Sequence, residues 1–230
     1  MILSILAAAA AATSAPATAC PDVVTPQALV CRALQAQKRG DEQGSAQAFE
    51  EAAKASPEKD PATARMYAAA GNMWIAAGQP GKAAFDLDKA LALPGLEAEQ
   101  RGEALLDRAR AAEAQDDLKT AREKLNQARE TVSDDPFYWY FSSALAVREG
   151  DLTTAQSAIN KALTMAPSEP TILFEAGHVA DAAGDQDKAR GYWMRAAGSD
   201  PNGEVGKAAA KAVEMLGVTP TVKSESTPPK

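Results

Sequence analysis

A large side chain followed four residues later by a small one recurs along this chain: Leu29 and Ala33, Tyr67 and Gly71, Leu105 and Ala109, Trp139 and Ser143, Leu173 and Gly177. Positions four apart share one face of a helix, so each pair predicts a helix with a notch in its packing face. A turn residue and a second apolar set follow each pair. Gly40 leads Ser45, Phe49, Ala52 and Pro57; Gly78 leads Ala83, Leu87 and Ala90; Asp116 leads Ala121, Leu125 and Ala128. Gly150 leads Ala155, Ile159, Ala162 and Pro167, and Gly184 leads Ala189, Trp193, Ala196 and Pro201. This second set predicts a second helix whose large residue fills the notch in the first. The pattern is that of an all-α chain of five helix pairs.

From Asp116 to Gly150 and from Gly150 to Gly184 the spacing is 34 residues, whereas Gly40 to Gly78 and Gly78 to Asp116 are each 38 apart. Four residues are about one helical turn, so an element can lengthen by that amount and keep its packing face in register. Extended helices are expected around Pro61 to Ala77 and Leu96 to Ala114. The glycines at 40, 78, 150 and 184 suit a left-handed helix end. Pro57, Pro167 and Pro201 stop second helices, while Asp60-Pro61 and Asp135-Pro136 each combine a cap with a first-turn proline. At the front, Thr25 caps Pro26 and Val24 is placed to staple against Leu29. At the back, Val205, Ala209, Ala212 and Leu216 form one stripe of a terminal capping helix. The chain thus divides into a leader (1–19), an N-terminal arm (20–25), five repeats (26–201), a capping helix (202–217) and a Pro-, Ser- and Thr-rich tail (218–230) expected to be disordered.

These markers follow the pattern W-x2-L-G-x2-Y, then A-x3-F, A and P, and from about Val24 to Gly217 the chain resembles the tetratricopeptide repeat family, in an exported bacterial form. The match is best over Trp139 to Pro167 and Leu173 to Pro201. Arg32 and Arg108 stand where the family has an aliphatic residue, and Ser45 where it has Ala. The resemblance implies a right-handed superhelical solenoid whose inner face is lined by the first helices and takes extended or helical peptides. Projecting the helical period from Tyr67, Leu105, Trp139 and Leu173 turns Arg65, Asn72, Arg110, Phe137, Tyr140, Arg148, Phe174 and His178 toward that face. Arg, Tyr and Phe are residues that interfaces favour, and plain solvated helix positions are the competing reading. Of the Lys- and Asn-rich inner face with which some family members clamp a terminal carboxylate, only Asn72 has a counterpart here. The ligand expected from this set is an extended or helical segment with apolar anchors and at least one acidic group.

Composition narrows the partner. Across 230 residues the net charge is −7, and aromatic residues make up only 5%. Phosphate binding needs concentrated Lys and Arg, so nucleic acid is not expected. The uncharged opening MILSILAAAAAATSAPATA has the apolar run and small-x-small ends of a signal peptide, although it lacks a basic residue near its start. The run is shorter than the roughly 20 apolar residues of a transmembrane anchor. Export would put Cys20 and Cys31, the only cysteines, in an oxidising compartment where one disulfide is expected. A lipid anchor on Cys20 is the alternative, against which Ala17 stands where lipoproteins typically carry Leu. The periplasm is the expected location, with an outer-membrane lipoprotein or a secreted protein as alternatives.

No catalytic constellation emerges from the sequence. Phosphate-cradling glycine motifs, HExxH and GxSxG are absent, no cofactor is implied, and one histidine with two cysteines is too little for a metal centre. Asp116-Asp117 and Asp134-Asp135 sit at helix boundaries where capping explains them, with calcium as the rival. His178 is the one candidate base, set against a groove contact or a plain surface role. The function read from the sequence is therefore a protein-binding scaffold in the cell envelope. Its rivals are an outer-membrane lipoprotein assembling pili or outer-membrane proteins and, from another class, an accessory subunit of an envelope enzyme.

Overall fold

The structure, a computed structural model, describes residues 19–217. Over that span the chain forms α1 (Pro26–Lys38), α2 (Glu42–Lys54), α3 (Pro61–Ala76), α4 (Pro80–Ala92), α5 (Ala98–Glu113), α6 (Leu118–Val132), α7 (Pro136–Glu149), α8 (Leu152–Met165), α9 (Pro170–Ala182), α10 (Gln186–Ser199) and α11 (Glu204–Leu216). No strand occurs among the described residues. The first ten helices make five consecutive pairs, each helix packing on the next in a solenoid of repeats. First helices also meet across repeats, α3 against α5, α7 against α9, and α9 against the terminal α11. The expected signal peptide and tail lie outside the described residues, apart from Ala19.

Caps set the helix starts. Thr25, Asp41, Asp60, Asp117, Asp135, Asp151 and Asp185 each accept a backbone N–H from the first turn they precede. This satisfies donors that a helix leaves orphaned. Asp117 and Asp135 are therefore helix caps, and the backbone between α5 and α6 turns at Asp116 with φ +63°. Gly40, Gly78, Gly150 and Gly184 hold the same left-handed place in the other four pairs, at φ between 68° and 80°. The two long repeats lengthen in their first helices, since α3 and α5 have 16 residues where α1 and α9 have 13.

Notch and filler meet as the spacing requires. A Cβ at Gly71 would lie 2.4 Å from Leu87 Cγ, and one at Gly177 would lie 2.1 Å from Trp193 Nε1. Only a residue without a side chain lets α4 and α10 come so near. Leu87, Leu125, Leu145 and Ile159 are buried, and so are the small residues Ala33, Ala83, Ala121, Ala155 and Ala189 around them. Trp139 differs: it is half-buried, its indole N–H bonded to the Ser133 carbonyl at 2.7 Å and Lys161 Nζ 3.9 Å from its ring.

One core residue breaks the apolar rule. Asp86 on α4 is 1% exposed; its Oδ2 accepts from Trp74 Nε1 at 3.1 Å while Oδ1 has no partner. Burial, reinforced by the charge of Glu50 and opposed by the Trp74 bond and by Lys89 and Lys54, pushes its pKa up to about 6. Ser45 is fully buried as well, and its hydroxyl is also unpartnered.

Cys20 and Cys31 are joined, with Cα atoms 5.7 Å apart, and tie the N-terminal arm to α1. Arg32 adds a bond to the Val23 carbonyl at 2.8 Å. The expected staple is a correction: Val24 stays 82% exposed instead of packing on Leu29, because the disulfide and the Arg32 bond set the direction of the arm. Among the described residues, no helix is long and apolar enough to cross a membrane.

Candidate interaction face

All eight residues projected onto one face do lie on first helices: Arg65 and Asn72 on α3, Arg110 on α5, Phe137, Tyr140 and Arg148 on α7, Phe174 and His178 on α9. Five positions join into one band across three repeats. Asn72 donates to Asp107 Oδ2 at 2.7 Å, and Arg110 bonds Asp107 Oδ1 at 2.8 Å. The Arg110 guanidinium then lies 5.5 Å from the Phe137 ring, which packs 5.2 Å from Tyr140. Asp107, which the sequence projection omitted, is the hinge of this relay.

A second group gathers on α9. The rings of Phe174 and His178, one turn apart, meet edge-on at 4.5 Å, and His178 meets Trp193 of α10 at 5.4 Å. Trp193 is fixed in turn by its indole bond to the Phe174 carbonyl at 3.0 Å. The aromatic neighbours exclude water from one side of the imidazole and hold the His178 pKa below its ordinary value. At neutral pH the ring is therefore uncharged.

Arg148 stands apart from both groups. It bonds the Glu113 carbonyl at 2.8 Å, the Glu113 carboxylate, and Asp116 Oδ1 at 2.7 Å, latching α7 to the end of α5. Among the described residues Arg65 bonds the Gly95 carbonyl alone, at 3.5 Å. Beside it a cleft of about 330 Å³ opens, with Gln37, Asn72, Gln100, Glu103 and Asp107 on its walls. The front of the face thus sets amides and carboxylates among Phe49, Met73 and Leu96, and the back is aromatic.

Two carboxylates on this face have no hydrogen-bond or ion-pair partner among the described residues. Glu175, half-buried on α9, is pushed up to about 7 by burial alone. Its charge reaches the phenol of Tyr140, whose own pKa is raised by burial first and by Glu175 next. Glu103 is raised by burial and then by Glu99, Asp107 and Asp135. Neither residue was among those projected from the sequence. A usable signal existed, because Asn72 to Asp107, Glu113 to Arg148 and Tyr140 to Glu175 are each 35 residues apart, so equivalent positions of adjacent first helices are neighbours.

No family model and no curated protein matches the chain. Solved structures do. The crystal structure of PilW, a widely conserved type IV pilus biogenesis factor, superposes with a TM-score of 0.67 at 18% identity, over 80% of this chain and 82% of that one. MamA gives 0.59 at 20% identity over 76% and 92%, and YrrB, a TPR protein with an unusual peptide-binding site, 0.56 at 19% over 80% and 91%. At such identities the likeness establishes the fold alone, and that fold is the tetratricopeptide solenoid.

Proposed function

We propose that this tetratricopeptide-fold solenoid is a binding scaffold of the cell envelope, which captures a segment of another protein on the face formed by α3, α5, α7 and α9. The observation that carries this reading is the continuous band from Asn72 through Asp107 and Arg110 to Phe137 and Tyr140. It is joined by hydrogen bonds and ring contacts and offers aromatic faces beside paired charges, the composition that interfaces concentrate in their energetic centres. Catalysis has no comparable support, since the ring contacts of His178 are Phe174 and Trp193 and not a nucleophile. The peptide-binding site named for YrrB and the pilus role named for PilW make partner binding the natural use of this fold.

Export is supported by the disulfide, a bond that persists in oxidising compartments. It also favours a free mature protein over the lipoprotein alternative, because a thioether-linked lipid would need the Cys20 sulfur that Cys31 holds. On this reading, cleavage follows Ala17 or Ala19, and the intact mass of envelope material lacks Met1. A partner recovered by affinity capture from envelope extracts gives the test of the face. Tyr140→Ala and Phe137→Ala should each weaken its binding by about 1–3 kcal/mol. If both bind like the parent while Phe85→Ala on α4 abolishes binding, the face has been assigned to the wrong side.

A further inference from the structure

The charges on the first-helix face are not equally available. Arg110 is bonded to Asp107 and covers Phe137, Arg148 is held by Glu113 and Asp116, and Arg65 donates to a backbone carbonyl. An acidic ligand would have to break one of these contacts to gain its own. Glu175 and Glu103 have nothing to break. Glu175 is drawn partly out of water without a counter-charge, an unmet interaction that an arriving cation relieves, while Glu103 is exposed on the cleft wall and offers an unpaired charge there. Tyr140, close enough to Glu175 to feel its charge, adds an aromatic surface against which the stem of a long basic side chain can lie.

We infer, resting on the binding face proposed above, that the captured segment is basic, with one Lys or Arg side chain seated at Glu175 beside Tyr140 and another at Glu103 in the cleft. The acidic ligand expected from the arginines on this face is thereby replaced. Charge complementarity extends to the whole molecule, whose net charge of −7 steers basic segments toward it. The charged groups that act on Tyr140 in this subsite, besides Glu175, are Arg110 and Glu113 of α5. Arg110 is already paired with Asp107 and Glu113 with Arg148. Affinity for a basic segment should accordingly rise as pH increases through about 7, where Glu175 becomes charged.

The test is selection from a library of short random peptides displayed on phage, against the disulfide-bonded chain and two variants. Glu103→Gln/Glu175→Gln removes the charges while preserving shape, and Tyr140→Ala/Phe174→Ala removes the aromatic surface. The parent should enrich peptides carrying two or more Lys or Arg among apolar residues. A peptide so selected should bind the carboxamide variant about tenfold more weakly, and bind the parent more weakly at pH 6 than at pH 8. Enrichment of acidic peptides, lost in the aromatic variant, would overturn the basic assignment and leave the face intact. Enrichment indifferent to both variants, or none at all, would overturn the face as a site for linear segments and this inference with it. Circular dichroism of each variant confirms that losses come from the surface and not from unfolding.

Discussion

The second repeat and the fourth share one frame, yet their cores are built differently. Eight residues past the turn glycine, α8 places Ala158, 3% exposed, where α4 places Asp86, 1% exposed. Both positions are closed to water, so the backbone geometry treats them alike. One seam holds a hydroxyl, Ser143, satisfied by the Ala155 carbonyl at 3.1 Å; the other carries a carboxyl group whose one bond is to Trp74 and whose second oxygen has no partner. The interaction face is divided too: at the cleft between α3 and α5 amides and carboxylates stand among Phe49, Met73 and Leu96, whereas α7 and α9 present aromatic rings. A repeat fold fixes positions through packing, and the chemistry placed on each position then varies without disturbing the frame.

The strongest test of the apolar half is Trp193→Ala, which removes a side chain filling the notch at Gly177. It should cost about 3–5 kcal/mol, and because repeats stabilise mainly their neighbours, hydrogen exchange should quicken in α9 to α11 well before α1 to α4. Uniform quickening along the chain would break the picture of separable halves. The arm in front of α1 depends on a covalent tie. Reducing Cys20–Cys31 should lower stability by up to about 3 kcal/mol in urea unfolding on the chain-entropy model.

Asp86 provides the sharpest contrast in pH behaviour. Its folded pKa is raised, to about 6, so its favourable contribution is complete below the unfolded value of 3.8 and is lost as pH rises through 6. Glu175, raised to about 7, acts in the same direction. The capping carboxylates Asp117, Asp151 and Asp185 are lowered and act oppositely, their contribution disappearing only as pH falls below the ordinary range. Asp86→Asn should therefore stabilise the chain by about 2–3 kcal/mol at pH 8 and have little effect near pH 4. Denaturation midpoints at the two pH values decide it, and an equal effect at both would show that folding does not raise the Asp86 pKa. Smaller still, Ser45→Ala restores the alanine found at Ala83, Ala121, Ala155 and Ala189 and removes an unbonded hydroxyl; a gain of about 1 kcal/mol is expected.

The helix pairs were legible in the sequence because sterics repeat. A notch must face a filler, and a left-handed turn nearly always takes Gly, so Gly71 with Leu87 and Gly177 with Trp193 declare themselves by spacing. The first-helix positions of the face were legible for the same reason. Which charges on that face remain available was not, because availability depends on partners one repeat away. Arg110 and Arg148 look like free donors until Asp107 and Glu113 are seen beside them, and Glu175 looks like an ordinary surface acid until its lack of a cation is seen. Asp86 was hidden more deeply. Its counterparts are Ala48, Lys124, Ala158 and Tyr192, a mixture from which no rule of burial can be read.

Hydroxyl-radical footprinting with a captured partner or selected peptide bears most directly on the central claim, that binding runs through the first helices. Ligand should protect Phe137, Tyr140 and Phe174, while Phe85 on α4 and Met194 on α10, 57% and 59% exposed, keep their oxidation rates. Protection of Phe85 and Met194 with the three first-helix aromatics unchanged would contradict the account.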